Sequence, residues 1–403
     1  MYNIISLENG LENVQGFYCG ATNVGMRINP TNASTSKIDG DVAFIRSDKP
    51  CDISSVFTSN TFQAAPIKHY QEYPKGFQTN FLLINAKNAN AMTGKKGVED
   101  INYIMSTLHS KLNVLNPVMS STGVIGYRLP TDKITSAFDT LNFNSSDSHT
   151  TARAIMTTDS FKKELAYKVE LENGKSFNIA AICKGAGMIN PAMATMLCFI
   201  TTDANIPKAD MDELLTLSSE ASFNRISVDG DTSTNDTVML LANKESGHYN
   251  KEAFNEVLEK IMFELAMMIL KDGEGANKLV AFEVNGAKSE DEAKKASMAL
   301  SNSLLVKTAL FGEDPNWGRI ASTIGASGIA CDESKLVIHY DDLLIYSDAF
   351  RELDKVREEK AYKIMKQEQF KVTCNIGLGE ASYISYGCDL SYEYVKINAE
   401  YRT

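Results

Sequence analysis

The sequence predicts a mixed α/β or α+β protein, and three observations carry that prediction. Helical and extended patterns are intermixed along the whole chain. Residues 251–271 carry a clear helical period, whereas 165–184 read as a β-hairpin. The composition, 43% apolar and 23% charged over 403 residues, is that of a globular chain long enough for two or three domains.

The elements follow in order. Residues 1–110 mix short apolar strands with polar turns, and 81–84 is a buried strand. In the hairpin, AYKVEL alternates, Asn173-Gly174 signals a two-residue type I′ turn, and SFNIAAICK returns. Phe254, Val257, Leu258, Ile261, Leu265, Met268 and Ile269 give 251–271 one broad apolar face, and Gly273 is its stop. Its methionines, Met262, Met267 and Met268, are core filler. A second helix spans 289–301. Strands are expected at 336–340 and 370–374, and YVKIN, 394–398, reads as a closing strand.

A net charge of −11 without a basic stripe excludes a nucleic-acid binder. The basic pairs Lys95-Lys96 and Lys162-Lys163 read as solvated turns. The seven cysteines are odd in number and lack Cys-x-x-Cys spacing, so free thiols in a reducing cytoplasm are expected. No signal peptide or apolar run of membrane-spanning length is visible, so no membrane partner is expected.

Chemistry concentrates in three stretches. Ser120 to Gly126, SSTGVIG, sets hydroxyls beside glycines, as an oxyanion site needs and as a plain tight turn also would. Lys184 to Leu197, KGAGMINPAMATML, follows a strand and is rich in small residues. It lacks phosphate-loop spacing, and its Gly185-x-Gly187 is too little for a dinucleotide fingerprint. Val228 to Thr237, VDGDTSTNDT, has oxygen side chains at alternating positions but Leu240 where a calcium loop needs glutamate. It reads as a hydrogen-bonded loop lining a site, and no metal is assigned. The five histidines lie outside all three stretches, so no Ser-His-Asp triad can be built. A threonine at a newly made N-terminus would need none, because its own α-amine, with a pKa of about 7.7–8.0, can act as base.

These stretches, with VFTSNTFQAAP, NANAMTG, IMTTD, DGEGANKL, LVKTALFGEDPNWGRI and the C-terminal VKINAEYRT, resemble the glutamate N-acetyltransferase (ornithine acetyltransferase) family of arginine biosynthesis almost end to end. The resemblance implies a layered α/β sandwich over residues 1–280 and a smaller α+β domain over 281–403, self-cleaved into two chains between Ala194 and Thr195. It implies Thr195 as the acetyl-carrying nucleophile and Thr122 and Gly123 as the oxyanion pair. Thr157, Lys184, Glu274, Asn398 and Thr403 would join Thr195 in binding substrate. The implied reaction is acetyl transfer from N-acetylornithine to glutamate without a cofactor, with acetyl-CoA a possible second donor. The two chains would assemble as two copies of each. An N-terminal-nucleophile amidase or peptidase, passing the acyl group to water, is the alternative. The sequence departs from the family pattern at Ala192, where asparagine is expected, at Lys162 of a Pro-Lys pair, and at Ala86-Lys87 before NANA.

Overall fold

The computed structural model describes residues 1–26, 40–190 and 196–400. Its strands are β1 Tyr2–Leu7, β2 Phe17–Thr22, β3 Val42–Phe57, β4 Gln78–Asn85, β5 Val118–Ser121, β6 Lys163–Leu171, β7 Ser176–Lys184, β8 Leu197–Thr202, β9 Ile226–Ser227 and β10 Thr237–Ala242. Beyond them come β11 Leu279–Ala287, β12 Val337–Tyr340, β13 Leu343–Tyr346, β14 Gln369–Asn375 and β15 Ala381–Cys388. The first sheet has the order β1-β6-β7-β8-β10-β3-β4-β5, with β2 also on β3.

The long strand β3 explains how one sheet makes two layers. Its first half pairs with β2 and β4, its last six residues pair with β10, and its register against β4 shifts between Arg46 and Cys51. Pro50, which has no N–H to give the ladder, lies in that shift. Side chains then alternate between cores. Ala180, Ile182, Leu197, Phe199, Met239 and Leu241 face Ala43, Ile45, Leu82, Ile84 and Val118 in the central core. Their neighbours Ile179, Cys183, Cys198, Ile200, Val238 and Leu240 face outward onto the helix Lys251–Lys271. On the far side Val42, Phe44, Phe81, Leu83 and Met119 pack on the helix Gly94–Lys111. The outcome is helix, sheet, sheet, helix: the layered α/β sandwich expected.

The second sheet, β13-β12-β14-β11-β15-β9, packs four helices drawn from 290–365 into a separate core. Its edge strand β9 comes from the earlier part of the chain and pairs parallel with β15.

The predicted helices and strands at 81–84, 251–271, 289–301, 336–340 and 370–374 are found within a residue or three of the expected ends. Two expectations are corrected. YVKIN is not a strand but part of the helix Tyr392–Glu400. Its β-branched alternation is not read by any sheet, because Tyr392 and Val395 face solvent. The helical period instead places Tyr394 and Asn398 together on the face toward Asp229 and Glu274. The hairpin exists, but its register pairs Glu170 with Ser176, leaving a three-residue loop, Glu172–Gly174, between Leu171 and Lys175. Gly174 of the turn pair takes the left-handed conformation, with φ +72°. A three-residue loop of this kind needs one such residue, where type I′ needs two. Among the described residues no helix is long and apolar enough to cross a membrane.

Candidate active site

The parallel strands β4 and β5 end together, Asn85 opposite Ser121, and the chain opens a crevice at their carboxyl ends. Amide side chains fasten its rim. Asn85 accepts the Thr122 N–H on its carbonyl (3.0 Å) and the Ser121 hydroxyl on Oδ1 (2.6 Å). Asn235 Nδ2 donates to the carbonyls of Ala89 (2.6 Å) and Ser121 (2.8 Å). Gly123 sits at φ +134°, and a Cβ there would lie 2.2 Å from the Lys87 carbonyl carbon and 2.4 Å from Asn88 N. Backbone cannot retreat as a flexible side chain can, so glycine is required. The stretch is therefore both a tight loop and a wall of the cavity. Thr122 is buried, its amide is committed to Asn85, and its hydroxyl is engaged by none of the described residues. The hydroxyl is the donor it can offer.

The opposite wall is charged. Lys184 ends β7 and is buried, with Nζ donating to Thr157 Oγ1 at 2.7 Å. Burial pushes its ammonium pKa down, opposed chiefly by Asp159. Glu274 follows the helix Lys251–Lys271. Its amide donates to Ala186 O (2.8 Å), and its Oε2 accepts from Asn398 Nδ2 (2.7 Å). Gly187 passes so close that a Cβ would lie 2.5 Å from the Glu274 carboxyl, so this glycine makes room for the acid. Lys184 and Glu274 form no ion pair with each other, so both charges face the cavity's contents rather than one another.

Behind this wall, Lys163 Nζ donates to Asp159 Oδ1 (2.8 Å) and Asp272 Oδ2 (2.6 Å), with all three side chains at most 2% exposed. The reading of Lys162-Lys163 as a solvated turn is thus corrected. Lys162 is partly exposed and pairs with the Glu164 carboxylate, but Lys163 begins β6 and points into the protein, where two carboxylates await it. Burial would raise the Asp159 pKa, but Lys163 and Lys184 outweigh it and hold the carboxyl well below the usual range.

The third stretch lines the cavity through Ser233, Thr234 and Asn235, the hydrogen-bonded loop expected. Asp229 accepts from the amides of Met188 (2.6 Å) and Ile189 (2.9 Å) and so fixes the glycine-rich loop after Lys184. Asp236 is fully buried and accepts from Met196 N (3.0 Å), while its Oδ2 has no hydrogen-bond partner among the described residues. Burial raises its pKa well above the ordinary carboxyl value.

Thr122, Gly123, Thr157, Lys184, Glu274 and Asn398, drawn from five separate segments, thus line one cavity of about 280 Å³. Ala194, Thr195 and Thr403 lie outside the described residues. The first described residue after them, Met196, is buried, and its carbonyl accepts from Thr237 N at 3.1 Å. Sequence reasoning missed Asn235, Asp159, Lys163, Asp272 and Asp236 as individuals. The signal was present in IMTTD, DGEGA and TND: acids and amides beside glycines in apolar surroundings must find partners when buried.

Fold and site together define an enzyme for a small substrate, with a hydroxyl-and-glycine corner beside one buried cation and one acid. The family model described as the ArgJ family matches residues 24–403, and the chain belongs to that family, as its motifs implied. The arginine biosynthesis bifunctional protein ArgJ of Wolinella succinogenes is 54% identical over 404 residues, covering 100% of both chains. The glutamate N-acetyltransferase of Methanocaldococcus jannaschii is 43% identical, covering 90% of this chain and 94% of its own. A crystal structure of the ArgJ protein of Bacillus halodurans aligns with 36% identity and a TM-score of 0.46, covering 50% of this chain and 97% of that one.

Proposed function

We propose that this enzyme transfers the acetyl group of N-acetylornithine to glutamate through an acetyl-threonine at Thr195. The observation that carries the reading is the single cavity with Thr122 and Gly123 on one wall and Lys184 and Glu274 on the other. Both substrates have an α-carboxylate for the Lys184 ammonium. Ornithine's tail ammonium suits Glu274, which makes the acid a selector of the acetyl donor.

Thr195 first releases itself. Its Oγ attacks the Ala194 carbonyl carbon, the peptide C–N bond breaks, and water hydrolyses the resulting ester, leaving a carboxylate at Ala194 and a free α-amine on Thr195. In transfer, Oγ gives its proton to that amine and attacks the acetyl carbon of the donor. The Thr122 hydroxyl and the Gly123 amide face the developing oxyanion. The amine returns the proton to the departing ornithine nitrogen as the C–N bond breaks. The α-amine of glutamate then attacks the ester, its proton passes back through the Thr195 amine to Oγ, and N-acetylglutamate leaves. None of these steps calls on a cofactor.

Mass spectrometry and N-terminal sequencing of active protein should find chains 1–194 and 195–403, and Thr195→Ala should remain full length. N-acetylornithine alone should add one acetyl mass to the chain beginning at Thr195, and the full reaction should show parallel double-reciprocal plots. Acetate released as fast as acetylglutamate would identify a hydrolase instead. The same assay with acetyl-CoA decides whether a second donor is accepted.

A further inference from the structure

We propose that Lys163 is a positioning residue: by engaging both Asp159 and Asp272 it leaves the Lys184 ammonium for the substrate carboxylate. The inference rests on the reading of Lys184 as that anchor.

Consider what surrounds Lys184. Its Nζ donates to Thr157 Oγ1, and the amide of the same threonine donates to Asp159 Oδ2 (3.0 Å). Asp159 Oδ1 accepts from Gly185 N (2.7 Å), the residue after Lys184. The nearest buried carboxylate is therefore one residue from Lys184 on either path, and the two attract. In a site shielded from water an ammonium so placed would pair with that carboxylate. Lys163 prevents this by occupying Asp159 first, with a charge-assisted bond at 2.8 Å, and by reaching Asp272 at 2.6 Å.

The second bond matters as much. Asp272 caps the helix Lys251–Lys271 and accepts from Ser160 N at 3.1 Å and from the Ser160 hydroxyl. It stands two residues before Glu274. Lys163 thus joins the segment carrying Thr157, the start of β6 and the turn carrying Glu274. Two acids and two lysines balance to zero behind the wall, and Glu274 is left as the acid for a substrate cation.

The test uses variants of the purified, processed enzyme, read by KM and kcat for both substrates. Lys163→Met with Asp272→Asn removes the competing cation and leaves Asp159 to pair with the Lys184 ammonium. KM for glutamate and for N-acetylornithine should rise about tenfold or more, with kcat changed less than about threefold. Adding Asp159→Asn frees Lys184 again and should bring KM back to within about threefold of the parent. A merely structural triad would lose more function with each further substitution, so a triple variant no better than the double overturns the proposal. Should the double variant not fold, Lys163→Gln with and without Asp159→Asn makes the same comparison with a neutral side chain that can still hydrogen-bond. Lys184→Met separates the two readings. If it raises KM while the Lys163 variants do not, this proposal alone fails; if it leaves KM unchanged, the carboxylate anchor fails as well.

Discussion

The two walls of the cavity are built on different physics. The Thr122–Gly123 wall is held by neutral bonds, from Asn85, Ser121 and Asn235 to backbone and to one another. The Lys184–Glu274 wall is backed by a fully buried cluster of opposite charges. Neutral amides pin an oxyanion corner without imposing a field of their own, and their geometry is insensitive to pH and salt. A charged wall can sort substrates by charge, but every charge in it needs a counterpart, because an unpaired buried ion is costly. On the proposed reading, the first wall would supply position and the second selection.

Experiments that break one wall at a time sharpen this contrast. Gly123→Ala should have the largest effect, because its Cβ would collide with the Lys87–Asn88 backbone. A fall in kcat of about 10³ is expected for both acetyl donors and acceptors alike, and a variant of normal rate would remove the loop from the chemistry. Thr122→Ala keeps the loop and deletes only the free hydroxyl, so kcat should drop by about 10²–10³ with KM little changed. Steady-state kinetics that showed only a KM effect would move Thr122 to the binding side. On the charged wall, Glu274→Gln retains an acceptor for Asn398 and removes the charge. KM for N-acetylornithine should rise about tenfold or more and that for glutamate should hardly move; equal changes would deny the acid its selecting role.

The smallest expected effect concerns stability and contrasts two buried acids. Asp236 has a raised pKa because burial dominates. Its folded form binds the proton more tightly than the unfolded chain does, so its contribution is fully present below the unfolded carboxyl value and is lost as pH rises toward the folded one. Asp236→Asn cannot titrate. Its melting temperature relative to the parent should therefore climb between pH 4 and pH 8, by roughly 2 °C for each kcal/mol involved. Asp159, depressed by Lys163 and Lys184, behaves oppositely: its contribution is present above the unfolded value and fades only in acid. Calorimetry showing the same pH trend for Asp159→Asn and Asp236→Asn would erase the distinction.

Much of this was legible in the residues. The 251–271 helix was readable because its apolar period is set by one continuous core along its length. Six site residues were named through motif resemblance, and four of them, Thr122, Gly123, Thr157 and Glu274, lie in loops, while Lys184 ends a strand and Asn398 sits in the last helix. Lys163 was not readable. Asp159 is four residues before it, but Asp272 is 109 residues after it, and only the fold shows that a lysine pair at the start of a strand is split between solvent and core. The final helix failed for a related reason. Tyr392–Glu400 has no buried residue to set a period, and what defines it is the reach of Asn398 to Glu274 across the two sheets.

The order of the first sheet also fixes a chronology. From one edge it runs β1, β6, β7, then β8 and β10, then β3, β4, β5. The outer groups precede residue 195 in the chain, and the inner pair follows it. A chain severed before Thr195 would thus leave one piece as the filling between two parts of the other, hydrogen-bonded on both sides through β7 and β3. Such a filling cannot be slid in from an edge afterwards. Were the chain severed there, the sheet would close most readily while the chain was still continuous, and two separately made pieces should combine only by folding together.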